Sequence, residues 1–374
     1  MKEKTLVCDL CGTEYSASDD TFFDGKHLCP HCRISRTIRC RCCDERIWRT
    51  DAIDGDLCEN CYETHYTRCT SCDCVIHNDD AYYMSDDTMG EYPYCESCYR
   101  EQTENRYIHD YDYKPEPIFY HTSDDDDLYM GIELEIDMGG ESDEYAEQIH
   151  GIANRDNNHL YIKHDGSLDM GMELVSHPMT YEYHKNVMPW RDILRKAVSL
   201  GYRSHTPGTC GLHIHVDRQA FGVLRDEQDV EIARIVYFYE KFWKEILRFS
   251  RRTEYQANRW AARYGGGLNS CKDSLDTAKK SGLGRYTAVN LENYDTVEFR
   301  IFRGTLRYDT FIATLQFTHY LCKLAINSDD KKFHSMSWLD FVSSIDEDKY
   351  PELVNYLKLR RLYINEPVEE MEEI

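Results

Sequence analysis

Cysteine spacing constrains this chain more than any other feature of its sequence. Fourteen of the 17 cysteines lie before residue 99 of the 374-residue chain. Twelve of them form Cys-x-x-Cys pairs, which fall into three sets: Cys8, Cys11, Cys29 and Cys32; Cys40, Cys43, Cys58 and Cys61; Cys69, Cys72, Cys95 and Cys98. Two such pairs supply four thiolates at the spacing of a tetrahedral zinc site. The sequence therefore predicts three structural zinc modules, at residues 8–32, 40–61 and 69–98.

Disulfide bonds are the alternative use of these cysteines. They are disfavoured because the N-terminus carries no apolar secretion signal and every pair keeps the same two-residue gap. Asp24-Gly25 and Asp54-Gly55 predict turns ahead of the second pair in the first two sets, as in zinc-ribbon-like or treble-clef-like modules. Four further residues are candidate substitute ligands: Cys42, Cys74, His31 and His65.

The charge balance narrows the choice of partners. The chain holds 68 acidic residues against 44 Lys and Arg, a net charge of −24, and residues 1–100 alone hold 20 against 11. Such acidity disfavours nucleic acid and anionic membranes, although the basic stretch from Arg33 to Arg49 keeps nucleic acid open for the zinc array. We expect the array to recruit a protein or to act as a scaffold. Because no apolar run reaches the roughly 18 residues of a membrane span, we expect a cytoplasmic protein.

Changes in composition divide the rest of the chain. Residues 101–128 contain two prolines and a run of four aspartates, and they predict an acidic, extended linker; an ordered loop around the next domain is the alternative. Regular patterns begin at Tyr129, so residues 129–345 are predicted to form the main domain. Residues 346–374 predict a helix followed by an acidic tail.

Alternating strands in the main domain carry polar side chains on one face. In YMGIELEIDM (129–138), Glu133 and Glu135 alternate with apolar residues, and His213 and His215 do the same in CGLHIHVD (210–217). Shorter versions of the pattern occur in MELVSHP, GRYTAVNL and TVEFRIFRGTL. Helical periods lie between the strands, the longest over about 227–250. The predicted class is therefore α+β, an antiparallel sheet with helices on one face.

Together these strands predict a polar face with an unusual composition. Its candidate residues are Glu133, Glu135, Glu173, His213, His215, Glu298 and Arg300. If the strands share a sheet, this face needs divalent cations for its acids and anionic ligands for its arginines. Carboxylates with an occasional imidazole suit Mg²⁺ or Mn²⁺, and Mg²⁺ beside arginine indicates a polyphosphate.

The same segments resemble those of a known family, the amidoligases of the glutamine synthetase and glutamate–cysteine ligase superfamily of ATP-dependent carboxylate–amine ligases. The matching stretches are GIELE (131–135), DGSL (165–168), ELVSHP (173–178), CGLHIHVD (210–217), RYTAVNL (285–291) and VEFRIFRGTL (297–306). The resemblance covers about residues 129–325. It implies a glutamine-synthetase-like catalytic fold behind the zinc modules.

The resemblance also implies roles for individual residues. Two Mg²⁺ ions, or Mn²⁺ in their place, would be held by Glu133, Glu135, Glu173, His213 and Glu298. His215 would meet nucleotide or phosphate, and Arg300 would contact the transferring γ-phosphate. Arg285 and Arg303 are further candidates for phosphate or acyl-phosphate contacts, and Asp165 lies where a nucleotide or substrate loop would be.

By this resemblance the chain is expected to join a carboxylate to an amine through an acyl phosphate formed from ATP, giving an amide or isopeptide bond. The catalytic residues would be Glu133, Glu135, Glu298, Arg300 and Arg303. The sequence leaves open whether the substrates are small molecules, a peptide or a protein. Two alternatives also stay open: a non-catalytic binding protein that works through its zinc array, and a hydrolase that uses the same metal cluster.

Overall fold

The computed structural model describes residues 4–84, 92–104, 106–122, 128–266 and 268–364. It divides into two compact units, Met1–Arg106 and Tyr107–Ile374. The first unit contains the cysteine sets and the second contains the alternating strands.

Short hairpins and single helices build the first unit. Its described strands are β1 (Thr5–Val7), β2 (Glu14–Ser16), β3 (Thr21–Phe23), β4 (Lys26–Leu28), β5 (Thr37–Arg39), β6 (Arg46–Trp48), β7 (Tyr66–Arg68) and β8 (Val75–His77). Its described helices are α1 (Pro30–Arg36), α2 (Glu59–His65) and α3 (Glu96–Glu104). The strands pair antiparallel, β1 with β2, β3 with β4, β5 with β6 and β7 with β8.

Aspartate–glycine turns lie in the first two modules, as predicted. Asp24 and Gly25 join β3 to β4 with φ angles of 47° and 71°. Asp54 and Gly55 adopt φ angles of 51° and 87°. Glycine takes this left-handed conformation without a steric penalty, and aspartate tolerates it better than most residues. The turns therefore fold locally and bring the second cysteine pair back toward the first.

A larger sheet and a set of helices build the second unit. Its described strands are β9 (Ile108–His109), β10 (Tyr129–Ile136), β11 (Leu160–Lys163), β12 (Met172–Ser176), β13 (Met179–Thr180), β14 (Leu212–Asp217), β15 (Val289–Asn290) and β16 (Thr296–Phe299). Its described helices are α4 (Asp143–Ala153), α5 (Tyr181–Asn186), α6 (Trp190–Ser199), α7 (Arg225–Lys241), α8 (Trp243–Ser250), α9 (Glu254–Trp260), α10 (Cys271–Lys280), α11 (Tyr308–Ile326), α12 (Asp330–Ser335), α13 (Trp338–Ser343) and α14 (Pro351–Leu359).

The eight strands of this unit form one sheet in the order β15-β16-β14-β10-β12-β11-β9, with β13 paired to β10. Every pair is antiparallel except β9 with β11. The predicted α+β class with a mainly antiparallel sheet is therefore confirmed. No helix of the described residues is long and apolar enough to cross a membrane.

The central strand β10 separates the core of the unit from its polar face. Met130, Ile132 and Leu134 are completely buried, and they belong to the same apolar core as Phe238 of α7 and Phe317 of α11. Since side chains alternate along a strand, the glutamates between these residues lie on the opposite face. Helix packing on one side of the sheet thus positions the acids on the other.

Part of the predicted linker packs against the sheet. Strand β9 pairs in parallel with β11, and the backbone N–H of Tyr120 donates to the carbonyl of Pro178 over 3.0 Å. Residues 107–122 therefore behave as the ordered-loop alternative, because their aromatic side chains find partners on the sheet. Tyr113, for example, packs edge-on against Tyr161 of β11. Residues 123–127, which contain the aspartate run, lie outside the described residues.

The helix predicted over about 227–250 is divided in the structure. Phe242 leaves the helical conformation, with φ −108° and ψ 32°, so α7 ends at Lys241 and α8 begins at Trp243. The predicted C-terminal helix corresponds to α14. The predicted acidic tail, residues 365–374, lies outside the described residues.

Candidate functional site

Three cysteine clusters in the first unit have the geometry of zinc sites. The sulfur–sulfur distances are 3.8 Å for Cys11–Cys29, 3.9 Å for Cys43–Cys58 and 3.8 Å for Cys72–Cys95. A tetrahedron with metal–sulfur bonds of about 2.3 Å has edges of roughly 3.8 Å, so these distances fit shared tetrahedral coordination. In the first two clusters the four sulfurs are those of the predicted sets. The prediction of three four-cysteine clusters is confirmed, and the third differs from its predicted set in one member.

The third cluster has more thiols than a tetrahedral site can use. Cys69, Cys72, Cys74 and Cys95 have sulfur atoms within 4.8 Å of one another. The thiol of Cys98 also interacts with those of Cys72, Cys95 and Cys69. Cys74 therefore joins the predicted set, and five thiols compete for four positions.

Backbone N–H groups prepare the first thiol of each cluster for metal binding. Burial raises the pKa of this thiol, but hydrogen bonds from nearby backbone N–H groups outweigh burial and lower the pKa to about 6 in Cys8, Cys40 and Cys69. The thiolate, which is the metal-binding form, is thus favoured at neutral pH. Cys29 and Cys58 also cap α1 and α2, so the helices fix the second pair of each site.

Neighbouring strands of the larger sheet place the predicted acids and imidazoles side by side. The cross-strand pairs are Glu133 with His213, Glu135 with Glu173, and His215 with Glu298. All six share the polar face of the sheet, as the alternation predicted. We call these six residues the acid cluster. Glu135, Glu173, Glu298 and His213 are buried in it, with 5%, 4%, 3% and 4% of their surface exposed.

Glu133 lies at the centre of the acid cluster. Its Oε1 is 3.2 Å from Nε2 of His215, and its Oε2 is 3.3 Å from Nδ1 of His213. Two groups of residues have ligand atoms close enough for one cation each: Glu133, His215 and Glu298, and Glu133, Glu173 and His213. Each oxygen of Glu133 therefore faces a histidine of a different group, and the two groups adjoin, since Nδ1 of His213 is also 3.7 Å from Oε1 of Glu298.

His215 is oriented like a metal ligand. Its Nδ1 lies 3.1 Å from the hydroxyl of Thr296, which fixes the ring. Its Nε2 is buried and makes no hydrogen bond within the described part of the chain, although Glu133 is close. A histidine held at one nitrogen and open at the other is the common form of a metal-ligating imidazole. The register of β14 with β16 brings His215 beside Glu298, and its predicted contact with nucleotide stays a prediction.

The acids of the cluster are too close together to ionise independently. Burial, followed by repulsion from Glu133, raises the pKa of Glu173 well above its usual range, and burial raises the pKa of Glu135. Burial opposes ionisation of Glu133 too, but His215 and His213 hold its pKa well below the usual range. Lys163 offsets part of the charge, with Nζ 3.2 Å from Glu173. Divalent cations suit this donor set, since they would neutralise carboxylates that otherwise repel one another.

Arg300 borders the acid cluster with an unused donor. It donates to Oε1 of Glu298, whose other oxygen accepts from Asn290 over 2.7 Å and from Asn293 over 3.1 Å. The Nε of Arg300 is buried without a hydrogen-bond partner among the described residues. Buried donors are almost always paired in proteins. An anionic ligand beside Glu298 would supply the missing partner.

Arg252 belongs to this site although its sequence context did not single it out. Its guanidinium donates to the carbonyls of Ile301 and Phe302 over 3.1 and 3.3 Å, and its charge attracts the carboxylate of Glu135. That carboxylate also accepts a hydrogen bond from the backbone N–H of Gly211. A Cβ at Gly211 would lie 2.5 Å from Nε2 of His213, so this close approach requires glycine. In the sequence, the glycine two residues before His213 was the available signal of this close approach.

Of the remaining predicted residues, one lies near the acid cluster and two make other contacts. Asp165 is near enough to raise the pKa of both Glu135 and Glu173. Arg285 donates instead to the hydroxyls of Tyr111 and Tyr286, over 2.9 and 3.2 Å. Arg303 lies with Arg251, apart from the metal-type groups.

One comparison with known proteins identifies a family. A family model described as "Putative amidoligase enzyme" matches residues 96–322, which is more than half of the chain. No curated protein matches the chain. Among solved structures, the chain is similar to a bifunctional glutathione synthetase from Pasteurella multocida, with 12% identity, a TM-score of 0.33 and coverage of 62% of this chain and 46% of that one. The match therefore spans less than half of that enzyme.

Proposed function

We propose that this chain, which belongs to the amidoligase family, is an ATP- and Mg²⁺-dependent ligase that joins a carboxylate to an amine. The observation that carries the proposal is the position of Glu133, which belongs to two adjoining groups of candidate metal ligands and faces a histidine of each with a different oxygen. Two cations that share one carboxylate are a common arrangement for phosphoryl transfer. A single structural metal ion would need only one group of ligands.

The reaction has two balanced steps. A carboxylate oxygen of the first substrate attacks the γ-phosphorus of ATP, the bond to ADP breaks, and an acyl phosphate forms. The amine nitrogen of the second substrate then attacks the acyl carbon, loses a proton and displaces phosphate. The product is an amide or an isopeptide bond.

The residues of the polar face supply positioning and charge for this reaction. Glu133, Glu173 and His213 would hold one cation, and Glu133, His215 and Glu298 the other. Bound cations would neutralise the negative charge of the phosphate oxygens. Arg300 and Arg252 add positive charge at two edges of the acid cluster. Preorganised charge of this kind accelerates phosphoryl and acyl transfer without a protein nucleophile.

A separate role is proposed for the zinc modules. They lie in the first unit, and none of their cysteines belongs to the acid cluster. Zinc in a closed four-thiolate site stabilises a fold and has no open position for catalysis. We assign the modules to substrate recruitment or scaffolding.

ADP release tests the proposed reaction. Wild-type protein is incubated with ATP and Mg²⁺, with or without a mixture of amino acids, small carboxylic acids and amines. We expect ADP only when the mixture is present. Glu135→Gln should lower the rate about 100-fold or more, since it removes a charge that acts in the transition state. Glu144→Gln, on the exposed surface of α4, is the matched control and should keep the wild-type rate.

Two results would contradict the ligase. ADP release that does not depend on the mixture would indicate a phosphate-ester hydrolase. No ADP under any condition, including with peptides and proteins as acceptors, would leave a binding protein that works through its zinc array.

A further inference from the structure

A second group of cationic side chains surrounds the C-terminal end of α8. Arg251 donates to the carbonyl of Arg303, and the backbone N–H of Arg303 donates to the carbonyl of Ser250 over 3.1 Å. The guanidinium of Arg360 donates to the carbonyl of Arg248 over 2.8 Å. We call Arg251, Arg303 and Arg360 the arginine cluster. In an acidic chain of net charge −24, three guanidiniums in one place are an exception that needs a reason.

Arg251 occupies a backbone position that favours glycine. It ends α8 in the left-handed conformation, with φ 66° and ψ 10°. A side chain other than glycine costs about 1 kcal/mol or more in this conformation. Glycine is therefore the residue that helix capping alone would select. The presence of arginine indicates that its side chain has a task that offsets the strain.

No carboxylate partner accounts for the cluster. Within the described part of the chain, Arg251, Arg303 and Arg360 form no ion pair, and Nε of Arg303 is buried without a hydrogen-bond partner. Nη1 of Arg251 lies 3.3 Å from Nδ1 of His205. Burial, followed by the charges of Arg303, Arg251 and Arg360, lowers the pKa of His205 to about 4, so the imidazole is neutral and neither adds to nor offsets the charge of the arginines.

The arginine cluster is next to the polar face of the sheet. Arg303 forms a bridge with Gly211, whose N–H donates to Glu135 of the acid cluster. Arg251 precedes Arg252, which attracts the same carboxylate. On another side, Tyr356 interacts with Arg251 and lines a cavity of about 320 Å³ together with Arg307, Asp309 and Glu352. The backbone around Gly211 and Arg252 therefore links the arginine cluster to the acid cluster.

We propose that the arginine cluster binds the additional carboxylates of an acidic substrate, one that carries two or more carboxylates besides the group that reacts. That the bound acid is a substrate rests on the proposed ligase function, but its binding to the arginine cluster does not need ATP. Guanidiniums pair with carboxylates through two parallel hydrogen bonds. Three of them would be neutralised by an oligoglutamate-like segment and not by a monocarboxylic acid.

Fluorescence anisotropy with a rhodamine-labelled hexaglutamate peptide tests the subsite, in the absence of ATP and Mg²⁺. We expect the peptide to bind wild-type protein and to bind Arg251→Gly and Arg360→Gln about tenfold more weakly or worse, as expected when a charged partner is lost. Arg251→Gly relieves backbone strain, so its thermal stability should not fall. Arg195→Gln, on the exposed surface of α6, makes the same charge change and should bind within about twofold of wild type.

Three outcomes would overturn the proposal. Arg251→Gly could bind the peptide as tightly as wild type does. Arg195→Gln could lose as much affinity as the cluster variants, which would mean general charge attraction. The cluster variants could instead weaken the binding of Mg-ATP alone, which would assign the arginines to nucleotide phosphate. Glu133→Gln separates the two proposals, since it should stop ADP release and leave peptide binding unchanged.

Discussion

His184 is a buried histidine whose protonation is set by its contacts in the core. Its Nε2 donates to the carbonyl of Met130 over 2.9 Å, and its Nδ1 accepts from the indole of Trp190 over 3.2 Å. Burial lowers its pKa from 6.5 to about 4. The folded protein therefore keeps this imidazole neutral at pH values where the unfolded chain would protonate it.

This difference predicts a pH dependence of stability. Because the unfolded chain binds the proton more readily, stability is full above pH 6.5 and falls as the pH drops toward 4. The linkage relation gives a loss of about 2 kcal/mol between pH 7.5 and pH 5 from this group. His184→Gln keeps a donor and an acceptor without the titration, so its free energy of unfolding in urea should fall about 2 kcal/mol less over this range than that of wild type. Parallel pH profiles of the two proteins would contradict the account.

Single residues differed in how far the sequence could predict them. Glu133, Glu135, His213 and His215 follow from strand alternation, which is a local property of the chain. Arg252 reaches the site through carbonyls about 50 residues away, so no local pattern could assign it. The sequence also did not place His215 in a group of candidate metal ligands, because that placement depends on the register between β14 and β16.

Elements were predictable where their pattern was long. The alternation of strand β10 is long enough to predict the strand, whereas β15 has only two residues, Val289 and Asn290, in the segment GRYTAVNL. No glycine or proline lies at the division between α7 and α8, so the sequence did not predict it. It arises at Phe242, whose ring packs on Phe238 and Trp338, so tertiary packing outweighs helical propensity there.

The third zinc module allows a test at the scale of one element. Cys95 and Cys98 begin α3 as Cys29 and Cys32 begin α1, and Cys98 is buried while Cys74 is exposed. By this repeat, Cys98 completes the site and Cys74 is the spare thiol. Cys74→Ser should therefore retain about three zinc ions per chain by elemental analysis, and Cys95→Ser should lose about one. Loss of one zinc ion in Cys74→Ser but not in Cys98→Ser would reverse the assignment.

For the whole molecule, the sequence indicates the individual strands but not the order in which they pair in the sheet. Alternation indicated that each strand had a polar face, and only the order β16-β14-β10-β12 brings these faces together. That order depends on pairings between residues far apart in the chain, such as Met130 of β10 with Val216 of β14 and Ile214 of β14 with Phe299 of β16. The resemblance to a family, and not the alternation alone, gave the expectation that these strands form one catalytic fold.

The acidity of the chain also has two different sources. Most acidic residues are exposed, but Glu135, Glu173 and Glu298 are buried in a group with two histidines. Buried acids that repel one another destabilise the fold unless cations or basic groups compensate them. Lys163, Arg252 and Arg300 offset part of this charge, and the proposed cations would offset the rest.

Titration with Mn²⁺ tests the central claim most directly, because Mn²⁺ binds the same ligands as Mg²⁺ with higher affinity and its free form is measured by electron paramagnetic resonance. Zinc-loaded wild-type protein and the surface control Glu144→Gln should each take up two Mn²⁺ ions per chain at saturation. Glu173→Gln should lose one of them, and Glu133→Gln should lose both, since its carboxylate serves both groups. Uptake of two Mn²⁺ ions by Glu133→Gln, or of none by the wild type, would contradict a two-cation site on this sheet.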